Sequence, residues 1–564
     1  MGVEHLREYR REWLTRDLLA GLVLVGLLAP AGMAYAVAAG LPPVTGLYAT
    51  IVPSLVYALV GPSRVMVVGP DSALAPLIAA TVLPLAAGDP DTAVALAGAL
   101  SIMAGLLCLG AATARLGFVS ELLSTPVRYG YLHGIALTII VAQIAAASGM
   151  SVSSENLVEG VRGVLAQIDD DAFHATSFAV GAVSLVVILV VRRLDRRIPA
   201  ALVVVVGGVV AALAFDLGDR GVGMVGDMPT GLPLPRVPDV GWDTIKLLLG
   251  AAVGVALVSF ADMSVLSRTM AMRRREPVDA NRELAALGAV NIAAGLFQGF
   301  AVSASNSRTP VAESSGARSQ IASASAAIVL LVLVVGVPST FRHLPDATLA
   351  AIVLAAAVSL LDIGALRRLW SMRRSEFLLA VAGLLAVAVF GPVNGVVIAV
   401  VLSLLNFVRR AWTPHTAELV RVDGLKGYHE RARHPEGRVI PGLLLYRFDA
   451  PLFFANARFF VEDVERRVAE RRAAGEAVQC VIVTAEPITD IDTSAADALR
   501  TLVSDLDRDG IDLRFAELKG VVRDRLERYG MEVPRLLHTE RTTGEAVRRY
   551  VADHAVEWTD WEDR

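Results

Sequence analysis

The chain has 564 residues, 54% of them hydrophobic and 19% charged, with a mean hydropathy of +0.56. A single core stops growing near ~250–300 residues, so this length requires more than one domain. A net charge of −4 and a pI near 6.2 give no basic surface for nucleic acid, and two cysteines, Cys108 and Cys480, suggest neither a disulfide framework nor a metal site. The charge is unevenly placed. Of the 108 charged residues, 52 fall in the last 152 positions, which describes a membrane domain followed by a soluble one.

Crossing ~30 Å of hydrocarbon as a helix takes about 20 apolar residues. Residues 18–63 carry no charge and suffice for two spans, with a turn at Gly40-Leu41-Pro42-Pro43. Further uncharged or nearly uncharged runs lie at 92–114, 129–154, 175–191, 198–215, 247–261, 284–307, 319–341, 347–361 and 377–408, the last divided at Gly391-Pro392. With short segments after Gly69 and Ser303, about fourteen spans are predicted. The first run is too long for a cleavable signal peptide. Arginines alternate between loops: Arg7, Arg10, Arg11, Arg16, Arg64, Arg115, Arg192, Arg193, Arg196, Arg197, Arg273, Arg274, Arg318, Arg367, Arg368, Arg373, Arg374, Arg409 and Arg410 fall on one side. The positive-inside rule then puts both termini in the cytoplasm.

Two stretches break the helical pattern at membrane depth. One is Val65-Met66-Val67-Val68-Gly69-Pro70, the other Gly299 to Ser305 before Asn306-Ser307-Arg308. They lie at corresponding places in the two halves, which points to an inverted-repeat transporter with its site where the broken helices meet. Helix N-termini converging there would favour an anion.

The motifs Pro30-Ala31-Gly32-Met33-Ala34-Tyr35-Ala36, Gly46-Leu47-Tyr48, Val68-Gly69-Pro70, Gly231-Leu232-Pro233 and Val302 to Arg308 resemble those of the SulP family. Its members are bacterial sulfate permeases related to animal anion exchangers, and the tail resembles their STAS domain. The resemblance implies fourteen spans in a seven-plus-seven inverted repeat of the uracil-transporter type. Spans 1–4 and 8–11 would form a core that carries the site past a gate of spans 5–7 and 12–14. It also implies a homodimer.

Arg308 sits where a helix dipole disfavours a cation, so it must answer to something negative: an ion pair or the transported anion. The matching family position is linked to anion binding. Ser303, Ser305 and Ser307 offer donors beside it, or act as caps. Gly69, Asp71, Ser72 and Tyr35 complete the expected substrate side; Asp71 reads equally well as a helix cap. Asp262, after fifteen uncharged residues, is costly in a span unless paired or neutralised. It is expected to hold the coupling H⁺ or Na⁺, or to pair with Arg268 or Arg308. Relatives often carry glutamate there, an uncharged residue at position 71, and glutamine at position 31, where this chain has alanine. Arg308, Asp262 and Asp71 together sum to −1. His133, Glu121 and Arg128, in the fifth span, read as packing and interface residues.

Two soluble-enzyme patterns fail. Gly221 to Gly226 matches G-x-G-x-x-G but leads into Met228-Pro229, not a helix, and His429 and His434 are five apart where one helical face needs four. No enzyme, cofactor or ATP-driven pump is expected. In the tail, a linker (413–440) should precede an α/β STAS domain (441–556) and an acidic end (557–564), after a short N-terminal segment (1–17) and the transport domain (18–412). Strands are predicted at 443–448, 478–484 and 511–517, and helices at 457–472, 494–507 and 521–529. Thr493 and Ser494 match the turn that is phosphorylated in bacterial anti-sigma-factor antagonists, which share the STAS fold, although Asp492 or Thr493 also reads as a helix cap. The expected function is secondary active transport of a small inorganic anion across the inner membrane by an elevator motion. Sulfate leads, with bicarbonate or a dicarboxylate next, and an uncoupled channel or exchanger as the competing class. The STAS domain would answer to an unknown cytoplasmic regulator.

Overall fold

The computed structural model describes residues 9–563 except 119–123, 151, 153–155, 170–172, 196–198, 337–340 and 532–537. Arg7, Glu121, Arg196 and Arg197 therefore lie outside the described residues. Two compact units form, residues 1–403 and 404–564.

In the first unit the apolar runs become α1 (Leu14–Ala38), α2 (Pro43–Val60), β1 (Val68–Gly69), α3 (Ala75–Ala86), α4 (Pro90–Thr113), α5 (Thr125–Ala147), α6 (Leu157–Asp169), α7 (Ala175–Leu194) and α8 (Ala200–Ala214). The second half follows with α9 (Trp242–Arg274), α10 (Ala280–Leu296), β2 (Ser303–Ala304), α11 (Arg308–Ser314), α12 (Ile321–Gly336), α13 (Asp346–Leu360), α14 (Ile363–Met372) and α15 (Arg374–Trp412). Among the described residues, eight helices are long and apolar enough to cross a membrane, and α3, α8 and α12 are shorter apolar helices. Inside α15, Gly391 takes φ +81° before Pro392, dividing the helix where the sequence predicts two spans.

The two interrupted stretches meet. β1 and β2 pair antiparallel, Val68 opposite Ala304 and Gly69 opposite Ser303. Non-helical backbone at this depth must find its partners inside the protein, and here it does. Val67 donates its N–H to Thr309 Oγ1 (3.0 Å), and its carbonyl accepts from Ser305 N (2.9 Å). Val68 O accepts from Ser54 Oγ (3.3 Å). Buried Asn291 of α10 serves Val302 twice: Oδ1 accepts its N–H (2.9 Å) and Nδ2 donates to its carbonyl (3.2 Å). Asn291→Leu strands both groups at about 1–3 kcal/mol each, so the expected result is a protein that melts well below wild type in detergent. An unchanged melting temperature would show that the segment holds its shape without Asn291.

Glycines let the helices carrying these segments approach. A Cβ at Gly105 of α4 would lie 2.7 Å from Gly288 O of α10, and one at Gly98 would lie 3.0 Å from Gly295 O. Such small-residue seams are how helices pack where lipid supplies no hydrophobic drive. The spacing of seven on both helices fixes their register, and hence where Asn291 stands.

The second unit is a six-stranded sheet in the order β4-β3-β5-β6-β7-β8. Its strands are β3 (Thr416–Arg421), β4 (Tyr428–Glu430), β5 (Leu443–Phe448), β6 (Cys480–Thr484), β7 (Asp512–Ala516) and β8 (His538–Glu540), of which β5 to β8 run parallel. Helices α16 (Ala457–Ala473), α17 (Thr493–Arg508) and α18 (Gly520–Arg528) pack on one core, and α19 (Thr543–Asp553) on the opposite face. Residues 413–440, expected as a linker, supply two strands instead. Buried Ala417 and Leu419 alternate with less buried Thr416 and Glu418, giving β3 one face to bury. The end of the chain also folds back: Arg421 donates from Nε and Nη2 to Asp560, and the Arg438 guanidinium lies 4.4 Å over Trp558.

Buried Asp463 accepts from Tyr446 Oη (2.9 Å), Arg467 Nε (3.0 Å) and Arg466. Burial pushes its carboxyl up, but hydrogen bonds from Arg467, Tyr446 and Arg466 outweigh that and hold it below the ordinary 3.8. A depressed folded value contributes stability above the unfolded value, lost as pH falls through the folded one. Asp463→Asn should therefore destabilise the unit 404–564 at neutral pH, and the gap should start to close only as pH falls below the ordinary 3.8 and vanish below the lowered folded value. A difference in melting temperature independent of pH would contradict this.

Candidate functional site

Arg308 opens α11 directly behind the β1–β2 crossing and is only 4% exposed. Ser305 Oγ accepts from its Nε (2.8 Å) and backbone N (3.2 Å), and Nη2 donates to Pro70 O across the crossing. Nη1 has no hydrogen-bond partner among the described residues. A Cβ on Gly69 would sit 3.4 Å from that nitrogen, so the bare glycine keeps the space beside it clear. Ser305 thus positions the guanidinium, with Ser307 Oγ 3.3 Å from its hydroxyl. The Ser303 hydroxyl instead donates to Ser259 O (3.0 Å) and is wholly buried, so it braces β2 against α9.

Asp71 follows the crossing. Its Oδ2 accepts from Ala73 N (3.0 Å), and its carboxylate stands in the field of Arg308 and Arg128. Tyr35 of α1, 6% exposed, lies beside Ser72, Asp71 and Arg308. The expected substrate side therefore gathers in one place, drawn from α1, the two crossings and α11.

Asp262 is buried in the middle of α9, and Arg128 Nη2 of α5 donates to its Oδ1 at 2.7 Å. Its ion-pair partner is thus Arg128, where the sequence suggests Arg268 or Arg308. Arg128, read there as an interface residue, adds a cation and brings the formal sum of Arg308, Arg128, Asp71 and Asp262 to zero rather than −1. Tyr131, also on α5, faces Asp262 and Asp71, and its fully buried hydroxyl has no hydrogen-bond partner among the described residues. Ser259 Oγ, on α9, is likewise unmatched. Arg308 Nη1, Tyr131 Oη and Ser259 Oγ are thus three buried polar atoms without partners among the described residues, and buried polar groups are otherwise satisfied. The donors are an arginine N–H and two hydroxyls, and the chemistry they suit is a compact oxyanion. His133, on the same helix, bonds Tyr129 O (2.7 Å) through Nδ1.

An open cleft of about 910 Å³ lies between α1, α3 and α5, lined by Val37, Pro76, Ala80, Thr138 and Gln143 among others. Its walls are mostly apolar, so the charged constellation is where an anion would be held.

Residues 14–383 match the Sulfate permease family and residues 434–546 the STAS domain. The chain belongs to the sulfate permease family. It is a multi-pass membrane transporter of anions rather than an enzyme. A probable sulfate transporter of Mycobacterium tuberculosis, Rv1739c, is 40% identical over 527 residues, 93% of each chain. Human solute carrier family 26 member 6 is 33% identical over 81% of this chain and 63% of its own. The solved structure of murine Slc26a9, in an inward-facing state, superposes with a TM-score of 0.89 at 22% identity, covering 98% of this chain and 94% of that one. The transmembrane domain of the cyanobacterial bicarbonate transporter BicA gives 0.61, also at 22% identity, over 70% of this chain and 98% of its own. Both structures establish the fold.

Proposed function

We propose that this protein is a secondary active transporter of sulfate, coupled to H⁺ or Na⁺ at Asp262 and working by an elevator motion of a core (spans 1–4 and 8–11) past a gate (spans 5–7 and 12–14). The observation that carries the reading is the buried, unpartnered Nη1 of Arg308 at the β1–β2 crossing. A full positive charge with a free donor, held in a low-dielectric space, has value only toward an anion. Sulfate is favoured because the 40%-identical relative is named a probable sulfate transporter. The antiparallel meeting of the two broken segments supports an inverted repeat of fourteen spans.

The arginine-rich loops support an inner-membrane protein with both termini in the cytoplasm. The STAS unit is the regulatory part, and the transporter works as a homodimer. Exposed Thr493 and Ser494 open α17, where Asp492 caps the helix by accepting Ala495 N (2.8 Å). A phosphate there would meet free N–H groups, which makes these two residues the modification site of the domain.

Calorimetric titration of the purified protein with sulfate, bicarbonate and a dicarboxylate tests the substrate. Sulfate should bind most tightly. Bicarbonate binding in preference to sulfate would make the protein a bicarbonate transporter, and a current that reverses at the anion equilibrium potential whatever the cation gradients would make it an uncoupled channel or exchanger.

A further inference from the structure

Arg128 and Asp262 join α5 to α9, and the elevator reading assigns these helices to the gate and the core. Their bond therefore spans the surface along which the two bodies must slide. Asp262 faces Arg128 and Tyr131 from α5 and Asp71 from the segment after β1; Asp71 in turn faces both arginines. Two positive and two negative charges cancel. A divalent anion entering this arrangement finds the unpartnered Nη1 of Arg308, while Nη2 of Arg128 is held by the Asp262 carboxylate.

We infer that Arg128 is a second, conditional anion ligand: tied to Asp262 in the empty carrier, it is released to the substrate when the co-transported cation takes over the Asp262 carboxylate. The inference rests on the transport reading above and adds a residue to it. The exchange balances without any further partner. The cation neutralises Asp262, the guanidinium keeps its charge, and the site moves from a formal sum of zero to +1. Two arginines then face one oxyanion, the arrangement in which their planar forks are strongest. Tyr131, three residues along the same face of α5, offers its unmatched hydroxyl to the same space. The step that admits the anion also cuts the tie between gate and core, so movement requires both ions. This gives obligatory coupling a structural cause.

The experiment compares sulfate affinity, by calorimetry without co-ion, in full-length wild type, Asp262→Asn and Arg128→Gln/Asp262→Asn. Asp262→Asn leaves Arg128 without its carboxylate and should bind sulfate about tenfold to a hundredfold more tightly than wild type. The double variant should lose that gain, and Arg128→Lys/Asp262→Asn should keep part of it by preserving the charge. The double variant contains no uncompensated buried charge, so its fold is the less endangered, and a melting curve verifies it. If the double variant binds as tightly as Asp262→Asn, Arg128 is only a structural tether and the inference is overturned. If wild type binds none of the three anions in any co-ion, the transport reading falls as well, and the two failures are told apart by that control.

Discussion

Arg308→Ala should abolish sulfate binding, by about a hundredfold or more, in a protein that still folds. The guanidinium carries an unpartnered buried donor, Nη1, beside Gly69, where a Cβ would stand 3.4 Å away. Alanine leaves Pro70 O without its donor and the site at a formal −1, while Asp71 retains the Ala73 N–H and the field of Arg128, so the melting curve is an essential control. Arg308→Lys keeps the charge and loses the fork, so it should recover only part of the affinity. Ser305→Ala should cost less, because Ser305 holds the guanidinium rather than the anion. Calorimetry with a parallel melting curve reads all three. Wild-type affinity in a well-folded Arg308→Ala protein would remove Arg308 from the site.

Asp262→Asn should end accumulation while sparing binding. With the carboxylate gone there is no seat for the coupling ion and no ion pair to Arg128. The anion should then bind without H⁺ or Na⁺ and equilibrate down its own gradient, with no accumulation beyond that equilibrium. In wild type, affinity for sulfate should rise as pH falls, or as Na⁺ is added, whichever is coupled. The variant should be flat in both. If it keeps the full wild-type dependence, Asp71 becomes the coupling residue.

Much of this site was legible before any coordinates. A β-branched stretch leading into Gly69-Pro70, and a comparable stretch from Gly299 to Ser305 at a corresponding place in the second half, announce two broken segments, and these pair as β1 and β2. Arg308 and Asp262 announce themselves because a charge in an apolar span needs a reason. The same argument applies to Arg128, which stands among the apolar residues of α5, and its partner lies 134 residues away where no local pattern can name it. Tyr131 and Asn291 carried no signal, since a tyrosine or an asparagine in such a helix is ordinary until its partners are seen. The orientation of Ser303 could not be read from local pattern: strand pairing turns its hydroxyl toward α9. In the second unit the strands near 443–448, 478–484 and 511–517 were recoverable because buried parallel strands are continuous apolar runs. β3 was missed because an edge-side strand bearing Glu418 and Arg421 reads as a charged linker.

The most direct test of coupled sulfate transport is radiolabelled sulfate uptake into proteoliposomes containing the wild-type protein, with an H⁺ gradient and a Na⁺ gradient imposed separately. One of the two gradients should concentrate sulfate inside well above the external level, and collapsing that gradient should release it. Sulfate that merely equilibrates under both gradients would contradict coupling at Asp262, and sulfate that does not enter under either would contradict the substrate itself.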